Sequence, residues 1–137
     1  MISEKSCGAI IFRKNEEIKY LLLHYEAGHW DFVKGNLEPG EQEKETVIRE
    51  AKEEAGITDL VFVDDFKEKI RYFYRREKQV VRKEVIFYLA ETKIKTIRLS
   101  YEHIGYSWLN FEEAHKKLTY KNAKDILKKT NDFLENV

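Results

Sequence analysis

The order in which the hydrophobic period changes along the chain constrains the fold more than any other feature. Residues 6–13 and 17–25 read as strands, rich in aliphatic residues, with Lys14-Asn15-Glu16 as the turn between them. Trp30 to Val33 is a short extended piece, followed by Lys34-Gly35 and the strong turn signal Pro39-Gly40. The period then changes. From about Glu43 to Ala55, the residues Val47, Ile48, Ala51 and Ala55 recur at three- and four-residue steps, which predicts a helix burying that face. Gly56 stands where such a helix stops. Residues 60–76 and 80–91 return to strand, the second alternating through Val81, Lys83, Val85 and Phe87, and Ile104 to Leu109 is a further strand. Asn110 with Glu113 predicts a capping box for a helix through Leu118. A last helix, capped by Thr119, is expected to bury Ala123, Ile126, Leu127 and Leu134. Helices between and after mixed strands predict an α/β domain whose sheet is covered on both faces.

A chain of 137 residues fits one domain and needs no disulfide or metal merely to fold. Hydrophobic residues at 42% exclude a disordered chain. Lys and Arg number 25 and Asp and Glu 25, a neutral balance that argues against a nucleic-acid coat or a membrane-surface binder. Any grip on an anion must therefore come from charge arranged locally. The single cysteine, Cys7, forbids an intrachain disulfide and suits a reducing cytosol. The first residues lack the apolar core of a signal peptide, and the apolar runs Ala9–Phe12 and Tyr20–Leu23 are too short to span a bilayer. A cytoplasmic protein is expected, and nothing in the sequence specifies its oligomeric state.

The chemistry concentrates between Gly35 and Ile57. Glu50, Glu53 and Glu54 stand at i, i+3 and i+4, so their carboxylates share one helical face. Like charges so spaced destabilise a helix by roughly 0.2–0.5 kcal/mol per pair. They also lie toward the carboxyl end, where the helix dipole disfavours anions. Such a helix asks for a cation, and oxygen ligands without Cys favour Mg²⁺ or Mn²⁺ over zinc. Arg49 stands four residues from both Glu45 and Glu53 and can pair with either. Taken alone, the helix has a second reading as a solvated, salt-laced face. No Gly-x4-Gly-Lys-Ser/Thr loop is present, and the lone Cys with scattered His24, His29, His103 and His115 spells no nucleophile triad.

The wider spacing reads G-x5-E-x7-R-E-A-x-E-E-x-G-I, carried by Gly35, Glu41, Arg49, Glu50, Ala51, Glu53, Glu54, Gly56 and Ile57. It resembles the box of the Nudix hydrolase family at every defining position. The resemblance implies the Nudix-type α/β/α sandwich with a mixed sheet, and Mg²⁺-dependent hydrolysis of a diphosphate linked to another moiety. It further implies that Glu50, Glu53 and Glu54 bind metal, that the Gly35 carbonyl adds a ligand, that Arg49 orients the carboxylates and that Glu41 supports them. The chemistry agrees. Polyphosphate hydrolysis needs charge neutralised on the non-bridging and leaving oxygens and a water aligned for in-line attack.

Segments outside the box, including Ser6–Phe12, His29–Gly35 and Arg98–His103, resemble the branch of the family that cleaves diadenosine tetraphosphate asymmetrically. Departures are Asn36, where that branch often has His, and Phe32 and Val33 in place of two prolines. This resemblance implies a nucleotide substrate, with Glu102 as a further ligand or general base. It also implies His29 and Lys34 on phosphate, with Tyr72 and Phe133 sandwiching adenine. Each residue has a plainer alternative: a solvated loop for Glu102, a turn for His29, a cross-strand surface aromatic for Tyr72 and a helix core residue for Phe133. Other activities in view are hydrolysis of nucleoside triphosphates or ADP-ribose, and a non-catalytic nucleotide-sensing module. Between Lys67 and Lys83 stand eight basic residues against Glu68 and Glu77, a stretch that is either a guide for a polyphosphate or a solvated hairpin.

Overall fold

The structure, a computed structural model, describes residues 1–136. Among the described residues, seven strands and three helices follow one another as β1 (Ile2–Lys14), β2 (Ile18–Tyr25), β3 (Trp30–Asp31), β4 (Val33–Asn36), α1 (Glu43–Ala55), β5 (Val61–Arg76), β6 (Gln79–Glu91), β7 (His103–Leu109), α2 (Phe111–Lys117) and α3 (Lys121–Glu135). β1 is central. One edge runs parallel to β6 from the pair Ile2 and Val81 to the pair Phe12 and Glu91. Its other edge is shared, antiparallel to β4 at Ser6–Ala9 and to β2 at Phe12–Lys14. β2 continues outward against β7 and β3, and β5 closes the far side against β6. The sheet is mixed, as expected.

β1 reads as a nearly unbroken apolar run because both its faces are covered. Ile10, Phe12, Leu22, Val85 and Phe87 meet α2 and α3 through Ala114, Leu118, Ala123, Ile126 and Leu127. Cys7, Ala9, Ile11, Leu21 and Ile86 meet α1 through Val47, Ala51 and Ala55. This is an α/β/α sandwich. No helix among the described residues is long and apolar enough to cross a membrane.

α1 keeps its expected bounds. Its end is set by Gly56 at φ 70°, whose N–H donates to the Lys52 carbonyl while Ile57 N–H reaches Ala51. That doubly bonded left-handed stop favours glycine. Ile48, expected on the buried face, is 52% exposed. The stripe that packs is narrower, Val47, Ala51 and Ala55 at four-residue steps, and Ile48 falls off its flank. Trp30–Val33 is two strands rather than one piece, because the chain crosses at Phe32 from pairing with β2 to pairing with β1. β1 begins at Ile2, not residue 6, since its parallel ladder with β6 holds the charged start. Thr119 is not the cap of α3. Tyr120 holds that position, while Thr119 Oγ1 accepts from Trp30 N at 2.8 Å and Thr119 N donates to the Trp30 carbonyl at 3.3 Å. This tie fixes the start of α3 beside β3.

Candidate active site

Two chain segments make the acidic floor. β4 carries Lys34, Gly35 and Asn36 along β1, and α1 packs across it. A Cβ on Gly35 would lie 2.0 Å from Glu50 Cδ, so only glycine lets the helix set that carboxylate on the strand. Glu54, one turn further, is 5% exposed, with its Oε1 accepting a long 3.4 Å hydrogen bond from Lys34 N. Glu53 turns outward. The three carboxylates therefore share the face that the sequence indicated but differ in depth.

Arg49 organises them. Its Nε donates to Glu41 Oε2 at 2.7 Å and Nη2 to Glu41 Oε1 at 3.0 Å, a forked pair. Nη1 donates to Glu50 at 2.7 Å and Glu53 at 3.3 Å, and Nη2 also reaches the Asn36 carbonyl at 3.0 Å. Of the two partners open to Arg49 from spacing, the structure takes Glu53. Glu45 instead accepts from Gln42 N at 2.7 Å as part of the helix start. Glu41 also accepts from Thr46 Oγ1 and Glu38 N. The Arg49 hydrogen bond holds its carboxyl down at about 2.

Burial pushes the Glu54 carboxyl up to about 9, with the Glu50 charge and a hydrogen bond to Glu50 adding to it. Burial raises Glu50 as well. Two carboxylates this close cannot both ionise freely, so the pair favours holding one proton between them. Among the described residues no three His, Cys, Asp or Glu side chains converge into a ready-made metal cluster. The reason is visible: Glu53 is turned to Arg49, Glu50 leans on Glu54 and Arg49, and Glu102 stands on an exposed turn before β7. The donors are hard oxygens with a shared proton to lose, which suits Mg²⁺ or Mn²⁺.

Glu50, Glu53, Glu54 and Glu102 line one groove of about 650 Å³ with Lys34, Gly35, Arg49, Tyr72, Lys83 and Tyr101. Beside it a cavity of about 420 Å³ is lined by His29, Asp31, Lys34, Ile70, Tyr72 and Tyr120. Lys34 and Tyr72 belong to both. Lys34 Nζ sits 3.1 Å from the buried Asp31 carboxylate. Burial pulls the ammonium down, but Asp31, with Tyr72 and Tyr120, more than offsets it and the net shift is upward, so Lys34 stays charged. His29 stacks on Tyr25 at 4.5 Å, and burial lowers its pKa, leaving it neutral at pH 7.

Phe133 is not brought to Tyr72. It packs edge to face on Phe66, 5.4 Å between centroids, and lines neither chamber, because it continues the stripe of α3 that faces the sheet. Tyr120 holds the wall instead, 5.5 Å from His29. Tyr120, Asp31 and Lys83 were not among the residues singled out from sequence for this site. The only local hint for Tyr120 was an aromatic directly before a helix. The basic β5–β6 hairpin is partly neutralised: Lys67 pairs with Glu43, Lys69 and Arg71 with Glu84, and Arg76 and Lys83 with Glu4. Lys83 reaches the groove, donating to Asn36 Oδ1 at 3.0 Å.

The NUDIX domain model matches residues 3–130. The mouse asymmetrical bis(5'-nucleosyl)-tetraphosphatase is 38% identical over 143 aligned positions, covering 95% of each chain. Its Caenorhabditis elegans namesake is 36% identical over 136, covering 95% of this chain and 96% of its own. Among solved structures, a C. elegans Ap4A hydrolase binary complex superposes with a TM-score of 0.87 at 34% identity, covering 98% of this chain and 99% of that one. With the family match spanning almost the whole sequence and the glycine-backed carboxylate helix in place, the chain belongs to the Nudix family and is a hydrolase.

Proposed function

We propose that the chain acts as a single Nudix unit that hydrolyses diadenosine tetraphosphate to ATP and AMP in the cytoplasm. One observation carries the substrate: the acidic groove and the aromatic cavity share Lys34 and Tyr72 as a common wall. A ligand with a base at one end and several phosphates beyond it fits that layout. The names of the mouse and C. elegans relatives support the same reading.

Mg²⁺, or Mn²⁺ in its place, would be held by Glu50, Glu53, Glu54, Glu102 and the Gly35 carbonyl. It would supply neutralisation of the bridge phosphates and a more acidic water. The remaining work falls to the chain. Tyr72 and Tyr120 flank the base, a contact worth about 1–3 kcal/mol per stacked ring. Lys34, held charged by Asp31, and neutral His29 bind the first phosphate. Arg49 keeps Glu50 and Glu53 from drifting apart, and Glu41 holds Arg49. Glu102 takes the proton from water as its oxygen bonds to the phosphorus next to adenosine. The bond from that phosphorus to the bridging oxygen breaks, and ATP leaves with its charge spread along the chain.

Hydrolysis in oxygen-18 water under Mg²⁺ tests both substrate and direction. Diadenosine tetraphosphate is expected to outpace nucleoside triphosphates and ADP-ribose, with the label in AMP. Label in ATP reverses the register and removes Glu102 as base. Preference for another member of the panel overturns the substrate.

A further inference from the structure

His103, at the start of β7, has a side chain that is 0% exposed. Its ring packs edge-on against Tyr25 at 4.4 Å, and Nδ1 lies 2.9 Å from Ser100 Oγ. Nε2 is buried without a hydrogen-bond partner. It faces Glu54 Oε1 at 3.9 Å. A buried polar atom left unpaired is costly and calls for a reason.

Ser100 Oγ accepts from the Glu102 backbone N at 3.3 Å and can turn its own hydroxyl hydrogen to Nδ1. In that arrangement Nδ1 is the acceptor and the ring proton sits on Nε2, on the side of Glu54. Glu54 is short of donors in return. Its one backbone hydrogen bond, from Lys34 N, is 3.4 Å long. We propose that His103 is a positioning residue that presents its unpartnered Nε2 to the Glu54 carboxyl group and so aims the other oxygen into the groove. The inference rests on the metal-bearing role of Glu54 given above. It also explains why the turn holding Glu102 is tied to the helix: Glu102 N, Ser100 Oγ, His103 and Glu54 form one chain of contacts across the groove.

Asparagine and glutamine separate the two nitrogens of the ring. The amide nitrogen of Asn mimics Nδ1, and that of Gln mimics Nε2. His103→Gln is expected to retain turnover and Mg²⁺ affinity within a few-fold. His103→Asn is expected to lose about 10- to 100-fold in Mg²⁺ affinity by calorimetry and in kcat, with little change in KM, as for other outer partners of metal ligands. Both should melt together, which removes packing as the cause. The Mg²⁺-loaded wild-type protein gives a second readout free of activity: ring nitrogen chemical shifts should show His103 protonated at Nε2 and bare at Nδ1. A proton on Nδ1, or Asn and Gln variants with equal metal affinity, overturns the proposal. Glu54→Gln, run beside them, keeps the two claims apart. Intact turnover there overturns the metal role of Glu54 and this proposal with it, whereas impaired turnover with Asn and Gln alike overturns the His103 role only.

Discussion

At the residue scale, the burial of Glu54 carries a cost in stability. Its carboxyl is pushed up to about 9 by burial and by Glu50, while an unfolded Glu titrates near about 4.3. The folded protein therefore binds the extra proton more tightly than the unfolded chain. This contribution to stability is fully present below about pH 4.3 and is lost progressively as pH rises toward 9. In metal-free protein the melting temperature should fall across that window, and Glu54→Gln should flatten the decline while lowering kcat by about 10²-fold. Thermal scans at fixed ionic strength against pH, in chelator, read the first; a decline unchanged by the substitution would assign the slope to another group. A second prediction concerns the aromatic residues. Tyr72→Ala should raise KM for the dinucleotide with the melting temperature nearly unchanged. Phe133→Ala should lower stability, by less than the roughly 3–5 kcal/mol of a fully buried Phe because the ring is only partly buried, and leave KM alone. The carboxylates were legible because helical spacing alone puts residues i, i+3 and i+4 on one face. Tyr120 was not, because its place on the cavity wall is set by the Thr119 to Trp30 tie, a contact between loops far apart in sequence.

Among the elements, α1 and β4 act as one unit, and Gly35 is the seam. An alanine Cβ there would strike the end of the Glu50 side chain rather than fixed backbone. The side chain can swing away, so the fold survives and the site does not. Gly35→Ala should melt within a few degrees of wild type yet lose about 10²-fold in kcat, since a displacement near 1 Å is enough for that. Steady-state kinetics beside a thermal scan decides it, and a loss of both together would mean that the helix itself has moved. α1 could be bounded from sequence because its signals are local, namely a buried stripe, an acidic first turn and a left-handed glycine stop. The crossing from β3 to β4 could not, because Trp30 and Val33 are each placed by a different distant strand. Ile48 was misplaced by the same limit: periodicity gives the direction of a face, while only the packed neighbour gives its width.

Over the whole molecule, a net charge of zero hides an uneven surface, though less uneven than composition suggests. Glu4, Glu43 and Glu84 pair with five of the eight basic residues of the hairpin, and one of these, Lys83, 3.7 Å from Glu4, also lines the groove. Lys83→Gln should raise KM several-fold and weaken the dependence of kcat/KM on salt, while Arg75→Gln, on the same hairpin but outside the groove, should change neither. Initial rates at low and at physiological ionic strength make the comparison. Equal effects of the two substitutions would return the hairpin to the role of a general attractor.

β1 runs through the middle of the sheet, yet its long parallel partner β6 lies about 80 residues away in sequence, Ile2 against Val81 and Phe12 against Glu91. A parallel pairing that distant closes slowly, because the chain must order a long loop before any ladder bond repays it. The β5–β6 hairpin, turned tightly through Glu77 and Lys78, can form early from neighbouring residues. During synthesis the apolar run from Cys7 to Phe12 emerges before β6 and stays without its main partner until Glu91 has been made. The strand at the centre of the finished molecule therefore waits long for its main partner, and its pairing with β6 is expected to be the slow step of folding.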